Sequence, residues 1–486
     1  MKREFLLNIA LLLALNLLVK PFYIFGIDRT VQNTVGTEAY GLYFTFFNLA
    51  LLLQILNDFG IQNFNNRAIS QHRQLIGKYF PNLLMLKLLL SWVYLFLALV
   101  VAALLGYPLL LWPLLGWVLI VQVLSSFVLF LRSNISGLGF YRTDSLISAL
   151  DRFLLIGIAG FLLLFQGWLG DFQIEWLVYA QAASMGITAL VAFWVLREHL
   201  PQLRLRWKTP LVVWFLRSSA PFALVILLTT LYTRMDAVML ERLLPDGEHE
   251  AGVYASAYRL LDASNMIGYL FATLLLPMFA RLLAAREPIR PLVETSFKLI
   301  MTGAWTLSLG VFFFREEIAY WLYHDATPYW GEVLGYLMLS FIAVSGTYIF
   351  GTLLLANGKM KPLNRLFALG IVLNASLNLL LIPVYKAWGA ALATLLTQLV
   401  IWLSEMAMSH RQMKALPSGR SMILHAVFAL AVGLVFFILS VWEPFVWQIR
   451  FLTGMLLSVS LAIAFRMIEP ARALRMLRKE KGFPEN

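Results

Sequence analysis

The sequence has 486 residues, of which 60% are hydrophobic and 13% charged, and its mean hydropathy is +0.78. Soluble domains are about 45–50% apolar and about 25% charged, so this composition excludes an ordinary soluble enzyme. The formal net charge of +12 is expected to mark membrane boundaries, not nucleic-acid binding. The chain contains no cysteine, which excludes disulfides, thiolate metal sites and cysteine nucleophiles.

The hydropathy pattern predicts a polytopic all-α membrane protein with about fourteen transmembrane helices. A bilayer core about 30 Å thick needs about 20 apolar residues per helix. In chain order, the runs that satisfy this length lie near residues 5–27, 40–64, 83–105, 109–131, 145–165, 176–196, 219–240, 252–283, 293–314, 333–357, 363–383, 389–410, 422–439 and 445–465. The boundary around residues 105–110 is the least distinct, because almost no polar residue separates the third run from the fourth.

The basic residues predict the orientation of these spans. Lys and Arg favour cytoplasmic loops, and here they concentrate on alternate connections, beginning with Lys2 and Arg3. Apart from cations inside spans, the opposite side holds Lys20, Arg29, Arg242, Arg315, Lys386 and Arg450. Both termini are therefore expected in the cytoplasm, and the first run is expected to be an uncleaved anchor. The basic tail from residue 466 to 481 either lies on an anionic leaflet or simply flanks the last span.

An internal repeat relates the two halves of the chain. Tyr40-Gly41-Leu42-Tyr43 opens the second span and Ala251-Gly252-Val253-Tyr254 opens the eighth, and each follows a helix that ends near an aspartate, Asp28 or Asp236. The repeat predicts two six-helix lobes of the same orientation, residues 1–210 and 211–415, with two further helices and a basic tail in residues 416–486. The alternative is a chance match of Gly and Tyr in a chain rich in aromatic residues.

Several segments together resemble a known family of exporters. They are Asp28 to Arg67 with its Phe59-Gly60, Pro221 with Met235-Asp236-Ala237-Val238, Ala251-Gly252-Val253-Tyr254 to Leu260, Leu276-Pro277, Asn378-Leu379-Leu380-Leu381-Ile382-Pro383 and Gly389-Ala390-Ala391. This set resembles the bacterial Wzx-type polysaccharide flippases, which belong with lipid II flippases and multidrug-and-toxin extruders in one superfamily. One departure is the connection between Asp236 and Gly252, which is longer than its counterpart in the first half.

The resemblance implies a flippase of the bacterial inner membrane. It would move an undecaprenyl-diphosphate-linked oligosaccharide from the cytoplasmic to the outer leaflet by alternating access, for lipopolysaccharide or another surface polysaccharide. The expected partners are this lipid-linked oligosaccharide, membrane lipids and other polysaccharide-assembly proteins, with no nucleic acid.

Ionisable residues inside spans are the candidate site residues, because a charge in lipid is costly without a partner or a passenger. Arg259 lies about two turns inside the eighth span, and its counterpart in the repeat is Asn48. We predict that Arg259, Asn48 and Arg234 line a central cavity and that Arg259 binds the diphosphate, since guanidinium matches phosphate oxygens. The alternative is that Arg259 only pairs with Asp262, three residues along the same helix.

Five further residues are predicted to gate the outer side or to couple an ion: Asp28, Arg29, Asp236, Asp262 and Asp58. Interfacial snorkelling is the alternative for Arg29. Asp58, which follows Gln54 and Asn57, either titrates with a coupled ion or holds helices together. Lys87 and Glu405 lie near helix ends and are expected to snorkel to the interface.

No nucleotide or metal motif is found in the sequence. It has no Gly-x-x-x-x-Gly-Lys-Ser/Thr segment and no His-Glu-x-x-His segment. We therefore expect neither cofactor nor metal, and energy from an H⁺ or Na⁺ gradient or from consumption of the product. The alternatives are an ion-coupled multidrug exporter, which would favour an acidic cavity, and a membrane polymerase or glycosyltransferase, which would need a larger outer loop.

Overall fold

The structure is a computed structural model, and it describes residues 19, 21–71, 74, 76–199, 207–358, 360–442 and 445–467. Every regular element in these ranges is helical. The predicted polytopic all-α class is confirmed. Most of the first predicted span and nearly all of the basic tail lie outside the described residues.

The helices follow one another with short connections. A π-helical turn, Tyr23–Asp28, comes first, and a single 3₁₀ turn, Leu109–Leu111, lies between α5 and α6. The α-helices are α1 (Arg29–Val35), α2 (Thr37–Leu52), α3 (Gln54–Asp58), α4 (Ile61–Gln71), α5 (Ile76–Leu104), α6 (Trp112–Gly137), α7 (Tyr141–Leu164), α8 (Gln166–Leu169), α9 (Ile174–Arg197), α10 (Thr209–Leu243), α11 (Gly247–Ala285), α12 (Arg290–Phe313), α13 (Arg315–Leu322), α14 (Pro328–Ala356), α15 (Met360–Met413), α16 (Gly419–Val441) and α17 (Trp447–Ala464).

Most of the predicted spans coincide with long helices. Eleven helices in the described ranges are long and apolar enough to cross a bilayer. One of them, α15, covers two predicted spans and is interrupted at Lys386, whose backbone is non-helical (φ 54°, ψ −134°). A boundary also exists after the third span, where the sequence marks it only weakly. Helix α5 ends at Leu104, and Gly106 adopts a positive φ of 76°.

The second predicted span is broken into shorter helices. Leu53 separates α2 from α3, and α3 ends at Asp58 because Phe59 and Gly60 both have left-handed backbone angles (φ 47° and 73°). Few residues other than glycine adopt such backbone angles, so the left-handed conformation of Phe59 is unusual for a residue inside a span. Broken helices at membrane depth expose backbone carbonyls, which is where transporters commonly place polar sites.

The chain divides into two compact units. The first comprises Met1–Arg259, Leu322–Asp325 and Phe367–Ala390, and the second comprises Leu260–Trp321, Ala326–Leu366 and Ala391–Asn486. The core of the first unit includes the stacked rings of Phe80 and Phe130, and that of the second includes Phe297 and Phe350. The sequence-based division at residues 210 and 415 stays a prediction.

Within the first unit, the two repeated Gly-containing helices cross at very short distance. A Cβ atom added to Gly41 of α2 would lie 1.9 Å from the carbonyl oxygen of Glu248, and one added to Gly252 would lie 2.1 Å from that of Thr37. The repeat that aligns Gly41 with Gly252 also aligns Thr37 with Glu248. The contact is therefore reciprocal, as in an interface between two equivalent subunits.

Candidate functional site

Arg259 belongs to the first unit and forms an ion pair with a buried aspartate. Its Nε atom is 2.7 Å from Oδ2 of Asp28 and donates a hydrogen bond of 2.9 Å to the hydroxyl of Tyr40. The guanidinium also lies 5.4 Å from the ring centre of Phe44 and 5.9 Å from that of Phe47. Aromatic faces attract cations, so this pocket stabilises the charge of Arg259 from several sides.

Asp28 is held by hydroxyl groups as well as by Arg259. Tyr40 donates to its Oδ2 at 2.6 Å and Tyr23 donates to its Oδ1 at 3.2 Å. Asp28 ends the π-helical turn, a wider form of helix that is often found at functional sites. The side chain of Asp28 is only 1% exposed. Asp28 would therefore keep two hydroxyl donors if Arg259 moved to another anion.

The other residues predicted around Arg259 are placed differently. Asn48 is buried, and its amide donates at 2.7 Å to the carbonyl oxygen of Phe44 in its own helix. Asp262 belongs to the second unit. The cavity role of Asn48 and the gating role of Asp262 stay predictions, and Asp28 is the ionic partner of Arg259 within the first unit.

The other predicted gate residues form hydrogen bonds in the first unit. Nε of Arg29 donates to the carbonyl oxygen of Leu322, which also accepts from the amide of Asn33 at 3.0 Å. Asp236 is 1% exposed and accepts hydrogen bonds of 2.7 Å from the amide of Asn378 and from the hydroxyl of Tyr254. Each half of the repeat thus has a buried aspartate that accepts a hydrogen bond from a tyrosine further along the chain, Tyr40 in α2 or Tyr254 in α11.

A cavity of about 350 Å³ lies in the first unit between helices of three predicted spans. Its polar lining comprises Gln54, Asp58, Gln62, Ser126, Thr230, Thr233 and Arg234. The apolar lining comprises Leu51, Leu52, Ile55, Leu129, Ile226 and Leu227. The guanidinium of Arg234 lies 4.9 Å from the ring centre of Tyr258. This mixture of hydroxyl, amide and charged groups with aliphatic walls is typical of sites for small or lipid-like ligands.

Lys87 forms a buried ion pair behind the cavity wall. Its side chain is fully buried, and its ammonium group lies 3.4 Å from Oδ1 of Asp58. It also donates to the carbonyl oxygen of Asn57 at 2.8 Å and to the hydroxyl of Ser126. The prediction that Lys87 snorkels to the interface is wrong, because three acceptors inside the unit hold it there.

Glu405 is also buried, in the second unit. Its side chain has no exposed surface, and a Cβ atom on Gly351 of the neighbouring helix would lie 2.8 Å from its Oε1. The absence of a side chain at Gly351 makes room for the carboxyl group. The prediction that Glu405 snorkels to the interface is therefore wrong as well.

An exposed ion pair in the first unit lies outside the predicted spans. Lys386, at the break in α15, pairs with Asp246 and lies 3.5 Å from Glu250. The hydrogen bond from Lys386 holds the pKa of Asp246 below its ordinary value. Both side chains are nearly half exposed, so the pair contributes little to the free energy of unfolding.

Comparison with known proteins identifies the family. Residues 6–283, more than half of the chain, match the family described as polysaccharide biosynthesis protein. The chain belongs to this family. No curated protein matches the chain.

Solved structures share the fold of this family member. The lipid II flippase MurJ in an inward closed conformation aligns with a TM-score of 0.73 over 94% of this chain and 98% of its own, at 12% identity. An inward-facing multidrug resistance MATE transporter of the MOP superfamily gives 0.64 over 81% and 94%, at 15% identity. The Vibrio cholerae MATE transporter VcmN in the bent form gives 0.57 over 84% and 97%, at 15% identity. At these identities the likeness concerns the fold.

Sequence reasoning missed several side chains of the site. Tyr40 and Tyr254 appear in the repeat motif, but nothing in the motif indicates that they bind Asp28 and Asp236. Asn378 lies in a segment that carries the family resemblance, but its sequence context does not indicate its contact with Asp236. The sequence does indicate that such contacts exist, because polar groups in apolar spans need partners. It does not indicate which polar side chain contacts which.

Proposed function

We propose that this protein is a flippase that carries an undecaprenyl-diphosphate-linked oligosaccharide from the cytoplasmic to the outer leaflet of a bacterial inner membrane, with both termini in the cytoplasm. Its family membership and its likeness in fold to a lipid II flippase support this proposal. The observation that carries it is the largely buried guanidinium of Arg259, which is held by a carboxylate and a phenol. Such a cation suits a diphosphate.

The Arg259 pocket suggests how an anionic head group is bound. A largely buried cation that loses its anionic partner is strongly destabilised. A diphosphate that approaches Arg259 replaces Asp28 as its partner, while Tyr23 and Tyr40 continue to donate to Asp28. One anion thus replaces another, and neither charge is left unpaired in the apolar interior.

The reciprocal glycine contact suggests where the outer side closes. The contact brings α2 and the first turns of α11 together, and Tyr40, which precedes Gly41, binds both Asp28 and Arg259. In our proposal these helices separate when the head group leaves, and Arg29 and Asp236 exchange the hydrogen bonds that hold the closed form. This step provides the outer half of an alternating-access cycle.

The cavity in the first unit suggests a route for the polar head group. Hydroxyl, amide and guanidinium groups along its wall replace the water that sugars lose on leaving the cytoplasm. We assign Arg234 to substrate binding there and Asp58 to ion coupling, with H⁺ or Na⁺ as the coupled ion. No step in this cycle makes or breaks a covalent bond, so we infer a transporter and not an enzyme.

An ion-coupled multidrug exporter is the second candidate, because MATE transporters share the fold. A cavity for cationic drugs favours unpaired acids. Among the described residues that line the cavity, the one carboxylate is Asp58, which is paired with Lys87. This pairing favours an anionic passenger.

Deletion of the gene tests the proposed function. The diphosphate-linked oligosaccharide should accumulate in the inner leaflet, where it is protected from glycosidases added outside. A plasmid copy should restore export, and an Arg259→Ala copy of equal abundance in the membrane should not. Normal surface polysaccharide in the deletion strain, together with increased sensitivity to cationic drugs, would favour the exporter instead.

A further inference from the structure

The ion pair of Lys87 and Asp58 joins a fully buried ammonium group to a carboxylate that lines the cavity. Asp58 and Ser126 both line the cavity, and Lys87 binds both of them from behind the wall. The carboxylate is 12% exposed, whereas the ammonium group has no exposed surface. A ligand in the cavity therefore meets the Asp58 side of the pair, and the Lys87 charge acts on it only through this wall.

The break after α3 explains why the Lys87 ammonium group is stable in its buried position. Helix α3 ends at Asp58, so its last carbonyl groups lack partners in a continuing helix. Lys87 donates to one of them, the carbonyl oxygen of Asn57. The C-terminal end of a helix carries partial negative charge. Lys87 thus pairs with the carboxylate of Asp58 and also satisfies a carbonyl group at the end of α3.

The Lys87 ammonium therefore contributes to the electrostatic potential of the cavity through its pair with Asp58. With the pair intact, this part of the wall carries no net charge, and without the Lys87 ammonium it would carry one negative charge. The other charged side chain of the described lining is Arg234, on the wall formed by α10. Near Lys87, its own helix adds Ser91, whose hydroxyl donates to the side chain of Asn57.

We propose that Lys87 is a specificity-determining residue, which makes the cavity accept an anionic, phosphate-bearing passenger by cancelling the charge of Asp58. The identity of the passenger rests on the proposed function, whereas the effect of Lys87 on charge preference does not. Lys87 acts through Asp58 and is a positioning residue. A role limited to folding would affect ligands of either charge equally.

The test compares an anionic and a cationic probe on purified protein in detergent. Geranyl diphosphate is the anionic probe, tetraphenylphosphonium is the cationic probe, and the readout is the ratio of their two affinities. Lys87→Met should lower the anion-to-cation ratio about tenfold, since one unit charge is exposed near the ligand. The double variant Lys87→Met with Asp58→Asn should restore the ratio, because its wall is again neutral. Lys298→Met, which disrupts an ion pair with Glu294 in the second unit, is the matched control and should leave the ratio unchanged.

Asp58→Asn keeps the test decisive if Lys87→Met alone does not fold. Its wall retains the Lys87 charge, so its ratio should exceed that of the double variant by about tenfold. Equal ratios in these two variants, or an equal loss of both probes in Lys87→Met, would overturn the proposal. A shifted ratio together with normal polysaccharide export in the deletion strain would retain the role of Lys87 and reject the proposed function.

Discussion

Substitution of Gly41 by alanine should open the outer side of the protein. The added Cβ atom would lie 1.9 Å from the carbonyl oxygen of Glu248 and 2.6 Å from the backbone nitrogen of Gly252. Ordinary contacts of this kind begin at 3.4 Å, so α2 and α11 must separate by about 1.5 Å. Overpacking of this kind costs about 1–3 kcal/mol. A cost of about 2 kcal/mol in the closed form alone shifts the population toward the open form about 30-fold.

The absence of cysteine makes this shift measurable. Ser256 is 5% exposed in the first turns of α11, so Ser256→Cys gives a single thiol that is buried while the contact is closed. An impermeant maleimide added outside the cell should label this thiol much faster in Gly41→Ala, and also in Gly252→Ala. Gly116→Ala is the matched control, because an added Cβ there meets no atom within 4 Å. Equal labelling rates in Gly41→Ala and in this control would refute the role of the contact.

Two further predictions concern the hydrogen bonds of the first unit. Asn378→Leu removes a donor from the buried carboxylate of Asp236, and this should lower the free energy of unfolding by about 1.5–3 kcal/mol; an unchanged thermal midpoint in detergent would contradict it. Asp246→Asn should cost less than about 1 kcal/mol, because the pair with Lys386 is exposed. Since folding lowers the pKa of Asp246, this contribution is present above its ordinary value of 3.8 and is lost at lower pH. Thermal unfolding of both proteins from pH 3 to 7 should therefore converge at the acidic end, and a difference that grows there would be inconsistent with this sign.

The helical architecture could be predicted because the bilayer imposes it. Each crossing needs a long apolar run in which all backbone groups are paired within the helix. Charged residues at the ends of these runs make the helix boundaries easy to recognise. The interruptions were harder to predict. Phe59 adopts a left-handed conformation that its residue type does not suggest, and Lys386 interrupts a helix without a neighbouring glycine.

The residues of the candidate site could be predicted better than the contacts between them. Arg259 could be recognised because a cation inside an apolar span is costly without a partner. Its partner Asp28 could not, because it lies far away in sequence. Lys87 was misjudged for the opposite reason. A long cationic side chain near a helix end usually reaches the interface, and only the packing of α5 against α3 and α6 shows that acceptors surround it. Partner choice is a tertiary property that hydropathy does not contain.

Translocation by purified protein in liposomes tests the central claim most directly. The assay follows a fluorescent undecaprenyl-diphosphate-linked sugar and measures the fraction that a membrane-impermeant quencher reaches with time. Our account predicts that the intact protein moves this lipid and that Arg259→Ala does not. Arg315→Ala, which alters an ion pair with Glu332 in the second unit, is the matched control and should remain active. Full translocation by Arg259→Ala, or none by the intact protein, would contradict the account.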